Sequence, residues 1–185
     1  MYGLVNRAIE QLVVSTGGEA AWQRVCQRAG IGAEGFVAMC PYDDGVTYRL
    51  VGAVSQELGQ SAEQVLEAFG NYWVLYTAEE GYGELMHACG DDLRQFLDNL
   101  NELHGRIETI FPGLRPPHFE VHDVAPGEYR VHYVSGREGL APMVVGLLKG
   151  LARRFGQSVA IEQLPTGQGL AGCFQVRHLD ATSTA

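Results

Sequence analysis

The sequence predicts an α+β fold: an N-terminal helical lobe, then a four-stranded antiparallel sheet with one helix inserted between its two hairpins. Three observations predict it. Apolar residues recur at three- and four-residue spacing through the first two-thirds of the chain. After Pro112 they alternate at a spacing of two, in short runs joined by Pro-Gly turns. One further stretch of helical spacing, from Leu140 to Leu151, separates the two alternating pairs.

The elements follow in order. Leu4, Val5, Ala8, Ile9, Leu12 and Val13 predict a first helix that stops at Gly17-Gly18. Ala21, Trp22, Val25, Cys26 and Ala29 predict a second, closed by Gly30. Asp43-Asp44 supplies a cap for a helix through Tyr48, Leu50, Val51 and Val54 toward Gly59. Ser61 and Gln64 form a capping-box pattern ahead of Val65, Leu66, Phe69, Trp73 and Leu75 or Tyr76. A short helix is expected around Glu84–Cys89, and Asp91-Asp92 begins the most regular one, Asp91–Ile110. Phe119–Val124 and Tyr129–Ser135 flank Ala125-Pro126-Gly127-Glu128 as a hairpin. The inserted helix has Pro142 in its first turn and Gly156 just past its end. Val159–Leu164 and Leu170–Val176 flank Pro165-Thr166-Gly167 as the second hairpin.

The chain has 185 residues, 46% hydrophobic and 19% charged, which fits one globular, soluble domain. A chain of this length buries roughly 70% of its unfolded surface, so folding alone demands neither metal nor disulfide. Thirteen basic against 22 acidic side chains give a formal charge of −9. That balance argues against nucleic acid, whose binding rests on Lys and Arg, and against an anionic membrane surface. No stretch approaches the roughly 20 apolar residues of a membrane span, and no secretory signal opens the chain. Cys26, Cys40, Cys89 and Cys173 lie far apart without a Cys-x-x-Cys, as expected of reduced thiols in the cytoplasm.

Two constellations carry chemistry. On Asp91–Ile110, helical spacing puts Leu93, Phe96, Leu97, Leu100, Leu103, His104 and Ile107 on one face, with Asp98, Glu102 and Arg106 opposite. An imidazole in an apolar stripe reads as a core histidine satisfied by a carbonyl, or as a metal ligand of the kind that holds haem iron. At the end of a strand, alternation projects Tyr133, Ser135 and Arg137 from one face. Two hydroxyls and a guanidinium suit a carboxylate or phosphate, although a solvated strand end would look the same. Together the two sets suggest a planar dianion with an iron centre: a porphyrin with one axial histidine and two propionates.

Tyr133-x-Ser135-x-Arg137 downstream of a leucine-flanked His104 resembles the haem–nitric oxide/oxygen-binding (H-NOX) family. The likeness extends to Met1-Tyr2-Gly3-Leu4-Val5-Asn6, to Phe96–His104, to Phe111-Pro112-Gly113-Leu114-Arg115-Pro116-Pro117 and to Arg137-Glu138-Gly139-Leu140. The sequence looks most similar to stand-alone cyanobacterial members and to the haem domain of soluble guanylate cyclase. The resemblance implies haem b, ferrous protoporphyrin IX, held between the lobes with His104 as proximal iron ligand. It implies a propionate clamp of Tyr133, Ser135 and Arg137, and Pro117 pressing on the haem and bending it. Val5, Trp73, Met143 and Leu147 match positions of the distal face, where they also read as ordinary core. It further implies a single domain over 1–185, with a helical lobe at about 1–60. The proximal helix and sheet follow at about 61–180, with 181–185 a frayed tail.

The function so implied is a gas sensor that binds nitric oxide and carbon monoxide at ferrous haem and excludes oxygen. Family members that hold oxygen have a distal tyrosine, and the matching position here is Met143. Tyr72 and Tyr76 lie one helical step off if Trp73 points inward, which leaves the Trp73 indole as the one distal donor. An oxygen carrier on the same scaffold is the alternative. No distal acid–base pair, thiolate ligand or nucleotide-binding motif supports an enzyme. Signalling is therefore expected to pass to a separate protein, by analogy a histidine kinase or a diguanylate cyclase.

Overall fold

Glycine decides the shape of the first helix. In a computed structural model describing residues 1–32, 34–111 and 113–179, with side chains of 77–81 left aside, the two expected N-terminal helices form one segment, α1 (Gly3–Ala29). It is bent at Gly18, whose φ of 74° breaks the helical path without ending it. Gly30, at φ 64°, closes it in the left-handed conformation. The second helix, α2 (Asp44–Leu58), begins where the Asp43 side chain accepts the Gly45 N–H at 2.9 Å. The Ser61–Gln64 capping box opens α3 (Ala62–Tyr72), both reciprocal bonds being present.

From Trp73 the chain departs from the simple pattern. Trp73–Ala78 is a π-helical turn, and α4 (Glu79–His87) starts earlier than the expected short helix. The Asp92 carboxylate accepts the Gln95 N–H at 2.8 Å, so Asp91 and Asp92 precede α5 (Leu93–Ile110) as its cap. Four strands and one helix follow: β1 (His118–Ala125), β2 (Glu128–Val134), α6 (Ala141–Arg154), β3 (Val159–Leu164) and β4 (Gly172–His178). The sheet order is β1-β2-β4-β3, every neighbour antiparallel, as the hairpin–helix–hairpin reading expects. Pro112 and the expected frayed tail, 181–185, lie outside the described residues.

The buried side chains gather in two clusters. One joins Ile9, Val13, Trp22 and Val25 of α1, Leu50 and Val54 of α2, and Leu66 and Phe69 of α3. The other joins Leu93, Phe96 and Leu97 of α5, Leu148 and Leu151 of α6, and Phe119, Val131, Phe174 and Val176 of the sheet. Trp73 packs against both. Crossing helices α3 and α6 stand backbone to backbone between them. A Cβ on Gly70 would sit 2.1 Å from the Met143 carbonyl oxygen, and one on Gly146 2.0 Å from that of Glu67. Only glycine permits this approach, which brings the α3 backbone at Gly70 against the α6 backbone at Met143 and Leu147.

Candidate functional site

The inward face of α5 is the first part of the site. Leu93, Phe96, Leu97 and Leu103 are buried, while Asp98, Glu102 and Arg106 are exposed, as the helical spacing requires. His104 lies half-buried on the inward side, its ring 6.3 Å from that of Phe119. Its Nδ1 stands 3.0 Å from the Pro117 carbonyl oxygen. A carbonyl can only accept, so Nδ1 carries the proton and Nε2 is left with its lone pair. Burial pushes the His104 pKa below its ordinary value, outweighing the bond to Pro117, and nearby His118 pushes the same way. Burial thus favours the neutral imidazole, and the Pro117 carbonyl selects the tautomer a metal ligand needs.

Asn101, one turn earlier on the same side, fixes this geometry. Its Nδ2 donates to the Phe119 carbonyl at 2.6 Å, and its Oδ1 accepts the Phe119 N–H at 2.9 Å. The pair docks α5 against the first residues of β1. Sequence reasoning passed over Asn101; an asparagine inside a leucine-rich helix, which helix propensity disfavours, is the signal that could have found it.

Of the expected clamp residues only Tyr133 lies on a strand, since β2 ends at Val134; Ser135 and Arg137 follow it and are joined to it by local hydrogen bonds rather than by strand alternation. Tyr133 is buried, its ring 5.4 Å from that of Phe119. Burial raises the Tyr133 pKa, against a hydrogen bond with Ser135 and the charge of Arg137. Ser135 lies just past the end of β2, where its Oγ accepts the Arg137 N–H at 3.1 Å. The Arg137 Nε donates to Asp44 Oδ2 at 2.8 Å, and a terminal nitrogen donates to the Arg115 carbonyl at 2.8 Å. Asp44, read from the sequence only as a cap, also receives the Met1 ammonium. Partial burial would raise its carboxyl, but the hydrogen bonds and charges of Met1 and Arg137 hold it below its usual value.

The two constellations meet on one loop. Between α5 and β1, the Arg115 carbonyl is held by Arg137 and the Pro117 carbonyl by His104. The loop also carries Phe111, whose ring meets that of Tyr2 edge-on at 6.0 Å. On the α3–α6 side, Val5 and Met143 pack against the helical core, Leu147 against the sheet core and Trp73 against both. Tyr76 is 54% exposed and stacks on Tyr72 at 4.7 Å. A separate cavity of about 450 Å³, lined by Arg7, Glu10, Gln11, Val14, Ser15, Glu19 and Tyr72, includes none of these site residues.

The sequence profile of the haem-NO-binding family matches residues 2–163. The chain belongs to that family. It is 36% identical to the Caenorhabditis elegans soluble guanylate cyclase gcy-32 over 158 residues, 83% of this chain. The chain spans 23% of that cyclase's length. Its fold superposes on an H-NOX protein from S. oneidensis in the Fe(II)NO ligation state with a TM-score of 0.86. That match has 20% identity and covers 97% of this chain and 100% of that one. It superposes on an oxygen-binding H-NOX domain, in its oxygen complex, with a TM-score of 0.79. Identity there is 19%, over 96% of this chain and 95% of that one. The fold is therefore that of the H-NOX structures, and the chain is a guanylate cyclase-like haem domain. An NO-ligated protein and an oxygen-binding one thus share this fold, so the fold alone does not distinguish the two gases. Among the described residues, no helix is long and apolar enough to cross a membrane.

The donor set fits a haem. His104 offers one neutral nitrogen, and Tyr133, Ser135 and Arg137 offer two hydroxyls and a cation for carboxylates, both sets bordering apolar core.

Proposed function

We propose that this domain is a haem-based sensor of nitric oxide and carbon monoxide that excludes oxygen and signals to a separate protein. The observation that carries the reading is the loop held at both carbonyls, Pro117 by the expected iron ligand and Arg115 by the expected propionate clamp. His104 would hold the iron of haem b through Nε2. Tyr133, Ser135 and Arg137 would hold the propionates, and the Pro117 ring would press on the porphyrin and bend it. When bound, the haem supplies a ferrous iron that takes a diatomic gas as ligand.

The chain's own residues supply selectivity and transmission. Oxygen gains more from a nearby hydrogen-bond donor than nitric oxide or carbon monoxide does. Val5, Met143 and Leu147 have no side-chain donor, and Tyr76 is turned to solvent. The Trp73 indole is the one distal N–H in the proposed set. Transmission begins at His104, whose Nδ1–H pulls on Pro117 and whose helix is docked to β1 through Asn101. A change in what Nε2 holds is thus passed to the loop before β1, and through Arg115 to Arg137 and Asp44 on α2. We place the lobe division between the helical part, about 1–60, and the part carrying α5 and the sheet, about 61–180. A gas that biases two lobe arrangements is read by any partner that prefers one of them, such as a histidine kinase or a diguanylate cyclase. Neither an acid–base pair nor a thiolate ligand is in the proposed distal set, so the domain senses and leaves catalysis to its partner, from the cytoplasm.

Absorption spectra of the ferrous protein under air, nitric oxide and carbon monoxide test the gas assignment. The expected result is no change under air and new bands under each of the other two gases. A stable new ferrous spectrum under air would replace the sensor with an oxygen carrier.

A further inference from the structure

On the sheet face turned away from α5 and α6 lies a second ligand set, outside the site described above. Alternation along β1 and β2 puts Glu120, His122 and His132 on that outer face, because Phe119, Val121, Val131 and Tyr133 face the core. Glu120 is the direct cross-strand partner of His132, and His122 stands two residues along β1 on the same face. We propose that Glu120, His122 and His132 form a site for a divalent transition-metal ion of the zinc type.

The geometry favours an ion over a chance surface group. One donor atom from each residue lies within 4.8 Å of the other two. His122 Nε2 is 3.5 Å from Glu120 Oε2, and His132 Nδ1 is 3.9 Å from the same oxygen. Ligands bound to zinc at about 2.0–2.1 Å in a tetrahedron stand about 3.3 Å apart, so small rotations of exposed side chains close the set. The imidazole rings are 4.6 Å apart at an angle of 51°. The backbone needs no movement, since the β1–β2 register already fixes it.

The donor chemistry selects the ion. Two imidazoles and a carboxylate suit zinc, copper, nickel or ferrous iron, whereas calcium and magnesium call for oxygen ligands throughout. Three protein ligands leave a position for water, as in open zinc sites. Arg130 is the cross-strand partner of His122, and its exposed side chain has solvent to turn into. An ion here would pin β1 to β2 close to Pro117 and beside Tyr133, although its binding does not depend on haem.

Titration of untagged protein with Zn²⁺ by calorimetry tests the site. The expected result is one Zn²⁺ per chain, with affinity at least tenfold lower in the double variant His122→Ala/His132→Ala and also lowered in Glu120→Gln. All three side chains are at least partly exposed, and haem content and circular dichroism report whether each variant folds. A second readout uses the unaltered protein: saturating Zn²⁺ should slow diethyl pyrocarbonate modification of His122 and His132, mapped by mass spectrometry. Failure of the parent to bind Zn²⁺, undiminished binding in the double variant, or unchanged modification rates at both histidines would each overturn the proposal.

Discussion

Arg137 commits two of its five N–H donors inside the protein, one to Asp44 and one to the Arg115 carbonyl. It is also the only charged member of the proposed clamp. A charge-assisted bond to a propionate contributes about 1.5–3 kcal/mol, more than a neutral hydroxyl does. Arg137→Ala should therefore lower haem content on purification and speed haem transfer to apomyoglobin, with Tyr133→Phe doing less because its ring still packs on Phe119. Equal transfer rates for the two variants would remove the clamp. Asp44 adds a pH dependence of known sign. Its folded pKa is lowered from an ordinary value near 3.9, so its ionised form stabilises the fold above that pH. The contribution fades as the pH falls from there through the lowered value. With the side chain 39% exposed, screening keeps it at about 0.2–1 kcal/mol. Asp44→Asn should lose that much near neutrality and nothing in strong acid, as urea midpoints across the pH range would show.

At the scale of elements, the α3–α6 crossing depends on glycine rather than on a hydrophobic ridge. Gly146→Ala would drive a methyl group into the Glu67 carbonyl oxygen, 2.0 Å away, and should destabilise the protein by about 1–3 kcal/mol. Gly52→Ala in α2, where a Cβ meets nothing within 4 Å, should be neutral or stabilising by up to about 1 kcal/mol. Denaturant melts of both variants test this, and equal midpoints would refute the close-approach argument. These helices also show where sequence is informative. Periodicity and caps located α2, α3, α5 and all four strands to within a few residues, since burial of one face and satisfaction of terminal N–H groups are local demands. The π-helical turn at Trp73 and the run of α1 across Gly18 were not legible. Both answer to packing between distant segments, which leaves no period in the sequence.

Among the described residues two cores share Trp73, and one loop collects the chemistry of both constellations. His104 and Tyr133-x-Ser135-x-Arg137 could be read as candidate ligands because their side chains break an apolar stripe and end a strand. Their meeting point could not, because the groups that join them are the backbone carbonyls of Arg115 and Pro117, which every residue type supplies. Asn101 and Asp44 escaped for a related reason: each works through a partner far along the chain. The proposed function rests above all on His104, oriented by Pro117, as the iron ligand. Haem binding by His104→Gly, expressed with and without imidazole, decides whether His104 has that role. Little haem is expected without imidazole, with both haem and the parent's ferrous spectrum recovered when imidazole fills the space. A variant that takes up haem without imidazole, and shows the parent's ferrous spectrum, would rule His104 out as the ligand.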